Sequence, residues 1–258
     1  MTTSLSALID DAGLDPTATQ ALQLTVDTLG PAIQAGLGDV TLDDITASEV
    51  VLVTQIIDDS SSIRFVSGNT EAVRSGHNLV IDALAKSKQS ADVLASCTYL
   101  NGGLLYPYVM LPDAVRLTAA NYNPSGGTPL FTRTMEVLAE VTAKMADFEN
   151  GGVAARALII IVTDGADTSW SSAQNVATVV NGLLRTEKVI VAGIGIDDGS
   201  TDFNQVFAEM GIRPEWVLTP GNSPSEIRAA FQVVSQSAVR ASRTAGSFSQ
   251  TAMGGFGA

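Results

Sequence analysis

The chain has 258 residues, 45% hydrophobic and 16% charged, long enough to bury one sizeable core. Its formal net charge of −13 argues against nucleic acid and anionic membrane as partners, because both favour basic patches. The single cysteine, Cys97, excludes an internal disulfide and a cysteine-rich metal cluster, and fits a reducing compartment.

The first stretch, "MTTSLSALIDDAGLDPT", has no basic region followed by an apolar run, so no signal peptide is expected. The longest apolar run, "ALIIIV" at 157–162, is far short of the roughly 20 residues of a membrane helix. These features predict a soluble, cytoplasmic protein. Residues 1–47 form an acidic extension in which Leu22, Val26, Leu29 and Ile33 recur at amphipathic-helix spacing. Residues 1–63 carry ten acids and no Lys or Arg.

Three β-branched apolar runs follow: "VVLVTQII" at 50–57, "ALIIIVT" at 157–163 and "KVIVAGIGI" at 188–196. Near-continuous hydrophobicity predicts strands covered on both faces, as in a parallel sheet. Between them lie helical patterns. One carries Val73, Leu79, Ile81 and Leu84, the next Leu130, Met135, Leu138 and Val141, and the third Val176, Val179, Val180 and Leu183. "ADVLASCTYL" and "LLYPYVM" flank an Asn-Gly-Gly turn, which predicts a hairpin. Pro107 in the second run suits an edge strand. Residues 48–240 are therefore expected to form one doubly wound α/β domain. Its sheet is mostly parallel, with one antiparallel edge strand and helices on both faces. The pattern closes on a C-terminal helix with Ile227, Phe231 and Val234. Residues 241–258 form a Ser/Gly-rich tail, expected to be flexible.

In open α/β sheets, ligands bind beyond the carboxyl ends of the strands. The first strand delivers Asp58, Ser60 and Ser62, a D-x-S-x-S string. The strand at 157–163 delivers Asp164 in "TDG". Between them "PSGGTPL" places Thr128 before Pro129, a pairing that predicts Thr128 as the cap of a helix starting at Pro129. Oxygen-only ligands select a hard divalent cation: magnesium first, with calcium or manganese possible. Three hydroxyls would leave the cation's charge largely unneutralised, and the two carboxylates would hold it. Asp167, Asp197 and Asp198 either line the same edge or stand as solvated loop acids. Trp170 and Tyr122 flank it from loops.

Asp58, Ser60 and Ser62, then Thr128 in "GGT", then Asp164 in "TDG" resemble the metal-ion-dependent adhesion site of von Willebrand factor A domains. The resemblance covers about residues 48–240, and all five positions match. It implies that Ser60, Ser62 and Thr128 contact the metal and that the two aspartates hold it, often through water. It also implies one coordination position left for a partner's Glu or Asp. The C-terminal helix and tail resemble bacterial stand-alone members near tellurite-resistance and stress or conflict systems. Asp59 inside the motif and the acidic extension depart from the family pattern.

The expected function is a non-enzymatic, cation-dependent protein-interaction module. The alternatives are a self-assembling subunit, whose acidic head meets a neighbour's tail, and a metal-dependent phosphoryl-transfer or hydrolytic enzyme. Against an enzyme, there is no P-loop motif, and the only histidine, His77, falls in a helix away from the strand ends.

Overall fold

The computed structural model describes residues 3–87, 93–169, 171–243 and 253–256. Two helices come first: α1 (Leu5–Asp11) and α2 (Pro16–Gly36). Pro16 opens α2, and the Asp15 carboxylate caps it by accepting from the Thr17 and Ala18 amides at 3.1 Å. The remaining elements are β1 (Glu49–Ile57), α3 (Asn69–Ala85), β2 (Val93–Tyr99), β3 (Gly103–Met110) and α4 (Leu130–Asn150). They continue with β4 (Ala154–Thr163), α5 (Ala173–Arg185), β5 (Val189–Gly195), α6 (Phe203–Glu209), β6 (Val217–Leu218) and α7 (Pro224–Arg243).

The six strands lie in the order β3-β2-β1-β4-β5-β6. All neighbours are parallel except β2 and β3, whose hairpin makes β3 the antiparallel edge. This is the expected mixed, doubly wound sheet. Pro107 sits on that edge strand, where the β2–β3 register is irregular, so its missing N–H costs the sheet no central ladder bond. The runs without alternation became the central strands: β1 is buried from Val50 onward and β5 throughout.

The helices form two groups. α1, α2 and α5 gather around α4, which packs on β1 and β4, while α3 packs along α7. The stripe of α2 finds its partner within the chain: Leu22 and Ile33 are buried, and Val26 and Leu29 pack partly buried against the core. In α3 the buried face is Val73, Gly76, His77, Val80, Ile81 and Leu84. Leu79, expected on that stripe, is turned outward and 39% exposed, because the true stripe follows the 3.6-residue period through glycine and histidine. Most of the tail, 244–252 and 257–258, lies outside the described residues. Met253 is buried, however, and the Phe256 ring packs edge-on against Trp216 with centroids 5.3 Å apart.

Candidate metal centre

β1 and β4 are adjacent and parallel, with Ile57 opposite Val162, so both release their next residues at the same edge of the sheet. The Asp58 amide continues the ladder to the Val162 carbonyl at 3.0 Å. Both oxygens of the Asp58 carboxylate are then engaged. One oxygen accepts from the Ser60 amide at 2.7 Å; the other accepts from Thr163 Oγ1 at 2.8 Å and from the Asp164 amide at 3.2 Å. Its carbonyl accepts from the Tyr122 hydroxyl at 2.6 Å. Oxygens so engaged suit a carboxylate acting through intervening water.

Ser60, Ser62 and Asp164 meet directly. The two serine hydroxyls are 2.9 Å apart, and both reach Asp164 Oδ1, Ser62 at 2.7 Å and Ser60 at 3.3 Å. Thr128 is buried and approaches from the third segment. Its hydroxyl lies against Gly165, where an added methyl would come within 3.3 Å of Thr128 Oγ1. The structure thus gathers Asp58, Ser60, Ser62 and Asp164 by hydrogen bonds and brings Thr128 against the turn that carries Asp164.

Thr128 is not the helix cap expected from the Thr-Pro pair. α4 begins at Leu130, and Thr128 gives no side-chain cap bond. The caps come from the loop after β4 instead: Asp167 accepts from the Phe131 amide at 2.9 Å, and Ser169 Oγ from the Thr132 amide at 3.3 Å. The same loop holds the Thr128 backbone, because Thr168 Oγ1 accepts from the Thr128 amide and the Thr168 amide donates to the Thr128 carbonyl. The Thr128 hydroxyl is thereby left free of capping duty.

Asp167 is therefore a cap rather than a solvated acid. Asp197 and Asp198 close their own turn, accepting from the amides of Gly199, Ser200 and Thr201. Tyr122 is buried, so it braces Asp58 and presents no aromatic surface. Trp170 lies outside the described residues. The exposed aromatic beside the motif is Phe65, at 78%, three residues after Ser62. Neither Phe65 nor the bracing by Thr163 and Tyr122 follows from hydrophobic spacing, although Thr163 stands next to Asp164 in "VTDG". His77 is buried, with Nε2 3.3 Å from the Val115 carbonyl, and burial pushes its pKa down to about 4. Cys97 is buried in β2, and burial pushes its thiol up.

The site lacks positive charge. Burial, and then the Asp58 carboxylate, push the Asp164 pKa up to about 7, against the pull of the Ser62 and Ser60 hydroxyls. Among the described residues no Lys or Arg forms an ion pair with Asp58 or Asp164. No described cluster of three or more His, Cys, Asp or Glu offers an alternative metal site. Two buried carboxylates meeting two serine hydroxyls, with the Thr128 hydroxyl against the adjoining turn, are all hard oxygen donors and fit a divalent cation.

No family model matches the chain, and no curated protein does. Among solved structures it is similar to the pilus adhesin SpaC from Lactobacillus rhamnosus GG in its open conformation. The identity is 14% over 76% of this chain and 31% of that chain, with a TM-score of 0.56. The fold is a mostly parallel, doubly wound sheet with one antiparallel edge strand, of the vWA/Rossmann-like class. Proximal thread matrix protein 1 from the mussel byssus, in a structure with a zinc-occupied MIDAS motif, is 16% identical over 74% of this chain and 46% of that one, TM-score 0.49. The SpRpn10 VWA domain is 10% identical over 72% and 95%, TM-score 0.48. The chain spans less than half the length of SpaC and of the byssus protein. At such identity the likeness concerns the fold, and SpaC carries it.

Proposed function

We propose that the protein is a non-enzymatic, divalent-cation-dependent protein-interaction module. The observation that carries this is the meeting of Ser60 Oγ, Ser62 Oγ and Asp164 Oδ1 within hydrogen-bonding distance at the edge where β1 and β4 end. Ser60, Ser62 and Thr128 would hold the cation, with Asp58 and Asp164 balancing its charge directly or through water. Magnesium suits a site of few short side chains, and manganese or calcium suits the same donors. The bound cation would keep enough charge to take a Glu or Asp carboxylate from a protein partner. The exposed Phe65 would stand beside that partner.

Residue placement supports a non-catalytic role. His77 lies buried on α3 against Tyr106, and Cys97 is buried in β2. Neither stands as a nucleophile or base beside the site. No described helix is long and apolar enough to cross a membrane; the proposed place of action is the cytoplasm. The setting we propose is a bacterial stress or conflict system of the kind that the C-terminal segment resembles.

The test is affinity capture with the full chain in magnesium and in chelator, beside Ser62→Ala and Asp164→Ala. Partners retained in magnesium, and lost both on chelation and in the variants, support the module. Cation-dependent turnover of generic phosphoester or nucleotide substrates by the parent but not the variants would overturn it in favour of an enzyme.

A further inference from the structure

Within the D-x-S-x-S string the side chains alternate in task. Asp58, Ser60 and Ser62 turn toward Asp164, and the intervening Asp59 and Ser61 turn away from it, toward two other loops. Asp59 is buried, and its carboxylate clamps the β2–β3 hairpin. One oxygen accepts from the Asn101 amide at 2.7 Å and the other from the Gly102 amide at 2.9 Å. A methyl on Gly102 would stand 2.8 Å from Asp59 Oδ2, so a larger residue there would push this carboxylate aside.

The second loop is the one that leads to Thr128. The Asp59 carbonyl accepts from the Ser125 amide at 2.5 Å. The Ser61 amide donates to the Gly126 carbonyl at 3.2 Å, and the Gly126 amide returns a bond to Ser61 Oγ at 3.1 Å. Asn101 closes the triangle by donating its side-chain amide to the Ser125 carbonyl at 3.1 Å. Three segments distant in sequence are thus stitched together: the motif loop, the hairpin tip and the 125–127 loop. Arg133 adds a fourth tie, donating Nε to the Leu100 carbonyl from the first turn of α4 at 3.2 Å.

We infer that Asp59 and Ser61 are positioning residues that fix the Thr128 loop against Ser60 and Ser62, and that they couple cation binding to the order of the hairpin tip at 101–102. This rests on the cation-site reading above. Both Asp59 oxygens are engaged by the hairpin, so Asp59 acts on the cation through geometry and not as a ligand. The three hydroxyls come from two separate segments, and this lattice of bonds ties those segments directly to each other, beside the bonds that each makes to the loop after β4. Loss of such an outer partner weakens metal binding about 10–100-fold. In the other direction, a cation that draws Ser60, Ser62 and Thr128 together tightens the same triangle and slows opening of the hairpin tip.

The test is a titration of the full chain with manganese, read by calorimetry, for the parent, Asp59→Ala, Asp59→Asn, Ser61→Ala and Asp58→Ala. Amide hydrogen exchange is followed at 100–103 and 125–127 with and without the cation. We expect Asp59→Ala to weaken manganese binding about 10–100-fold. Asp59→Asn retains one acceptor oxygen, so it should fold if the alanine variant does not, and it should lie between. Exchange at Asn101 and Gly102 should slow on adding cation to the parent and stay fast in Asp59→Ala. A parent that binds and an Asp59→Ala that binds equally well would overturn the positioning role alone. A parent that binds no better than Asp58→Ala would overturn the cation-site reading and the coupling with it.

Discussion

The Ser62 hydroxyl reaches Asp164 Oδ1 at 2.7 Å across 102 residues of chain, joining the turn after β1 to the turn after β4. With the Ser60 hydroxyl 3.3 Å from the same oxygen, Asp164 is the point on which the motif converges. It also bears the electrostatic cost, because burial and the neighbouring Asp58 disfavour its charge.

That cost has a sign. The folded-state pKa of Asp164 is raised to about 7, from an ordinary 3.8. In the absence of metal the group therefore contributes stability that is fully present below about pH 4 and is lost as pH rises through about 7. At about 1.4 kcal/mol per pKa unit the effect is on the order of 4 kcal/mol. In chelator at pH 7.5, Asp164→Asn should melt above the parent. In magnesium the order should reverse, since the parent gains binding energy and the variant does not. Thermal melts at pH 5 and 7.5 with and without magnesium check this; a variant that melts below the parent in chelator at pH 7.5 would contradict it.

Asp167 takes the capping role that the sequence context gives to Thr128. Thr128 caps nothing, whereas Asp167 accepts from the Phe131 amide at the start of α4. Thr128→Ala should therefore lower cation affinity at least about tenfold while moving the urea midpoint little. Thr128→Ser should retain affinity. Asp167→Ala should cost about 1 kcal/mol of stability through the lost cap. A Thr128→Ala that loses stability as a cap variant would, with unchanged affinity, would remove Thr128 from the site.

These roles mark where the sequence was legible and where it was not. The sheet could be read because β1, β4 and β5 are buried on both faces, and such strands leave unbroken apolar runs. The hairpin and its edge strand could be read from Asn101, Gly102 and Pro107, whose backbone preferences are local. The five proposed ligands were legible as candidates because they stand in turns at element ends: Asp58, Ser60 and Ser62 after β1, Thr128 before α4 and Asp164 after β4. The bonds between loops could not. That Asp167 caps α4, that Tyr122 is buried under Asp58, and that Asp59 holds the hairpin depend on which loops meet, and no local periodicity encodes that. The outward turn of Leu79 was missed for a related reason: Gly76 and His77 occupy the buried face, and neither is counted as apolar.

The C-terminal contact is equally specific. Gly255 has φ +90, and a methyl there would stand 2.5 Å from the Glu215 carbonyl oxygen, so any other residue is strained and crowded. The Phe256 amide donates to that carbonyl at 2.9 Å, and its ring packs on the fully buried Trp216. Gly255→Ala and Phe256→Ala should each release this segment and lower stability by about 1 kcal/mol. In a Trp170→Phe background, which leaves Trp216 as the sole tryptophan, both should red-shift the emission and raise acrylamide quenching. Unchanged emission in both variants would show that Trp216 is buried without the segment.

Glu140 carries the last prediction. It lies in the middle of α4, buried, with its carboxyl packed on Gly36 of α2 and neither oxygen hydrogen-bonded among the described residues. Burial, and then the nearby Glu136 carboxylate, push its pKa well above the usual glutamate range; Arg133, ion-paired with Glu136 at 2.6 Å, pulls it back only in part. A group whose folded pKa is raised contributes stability that is present below the unfolded value and lost as pH rises through the folded one. Each pH unit in that interval costs up to about 1.4 kcal/mol. Glu140→Gln keeps the shape and cannot ionise, so any fixed cost of its amide is independent of pH. The variant's stability relative to the parent should therefore climb as pH rises above about 5 and level off once the parent carboxyl ionises, as read from urea unfolding at three pH values. Parallel profiles would mean that the parent carboxyl ionises at no cost, and that the contact between α2 and α4 opens to water around it.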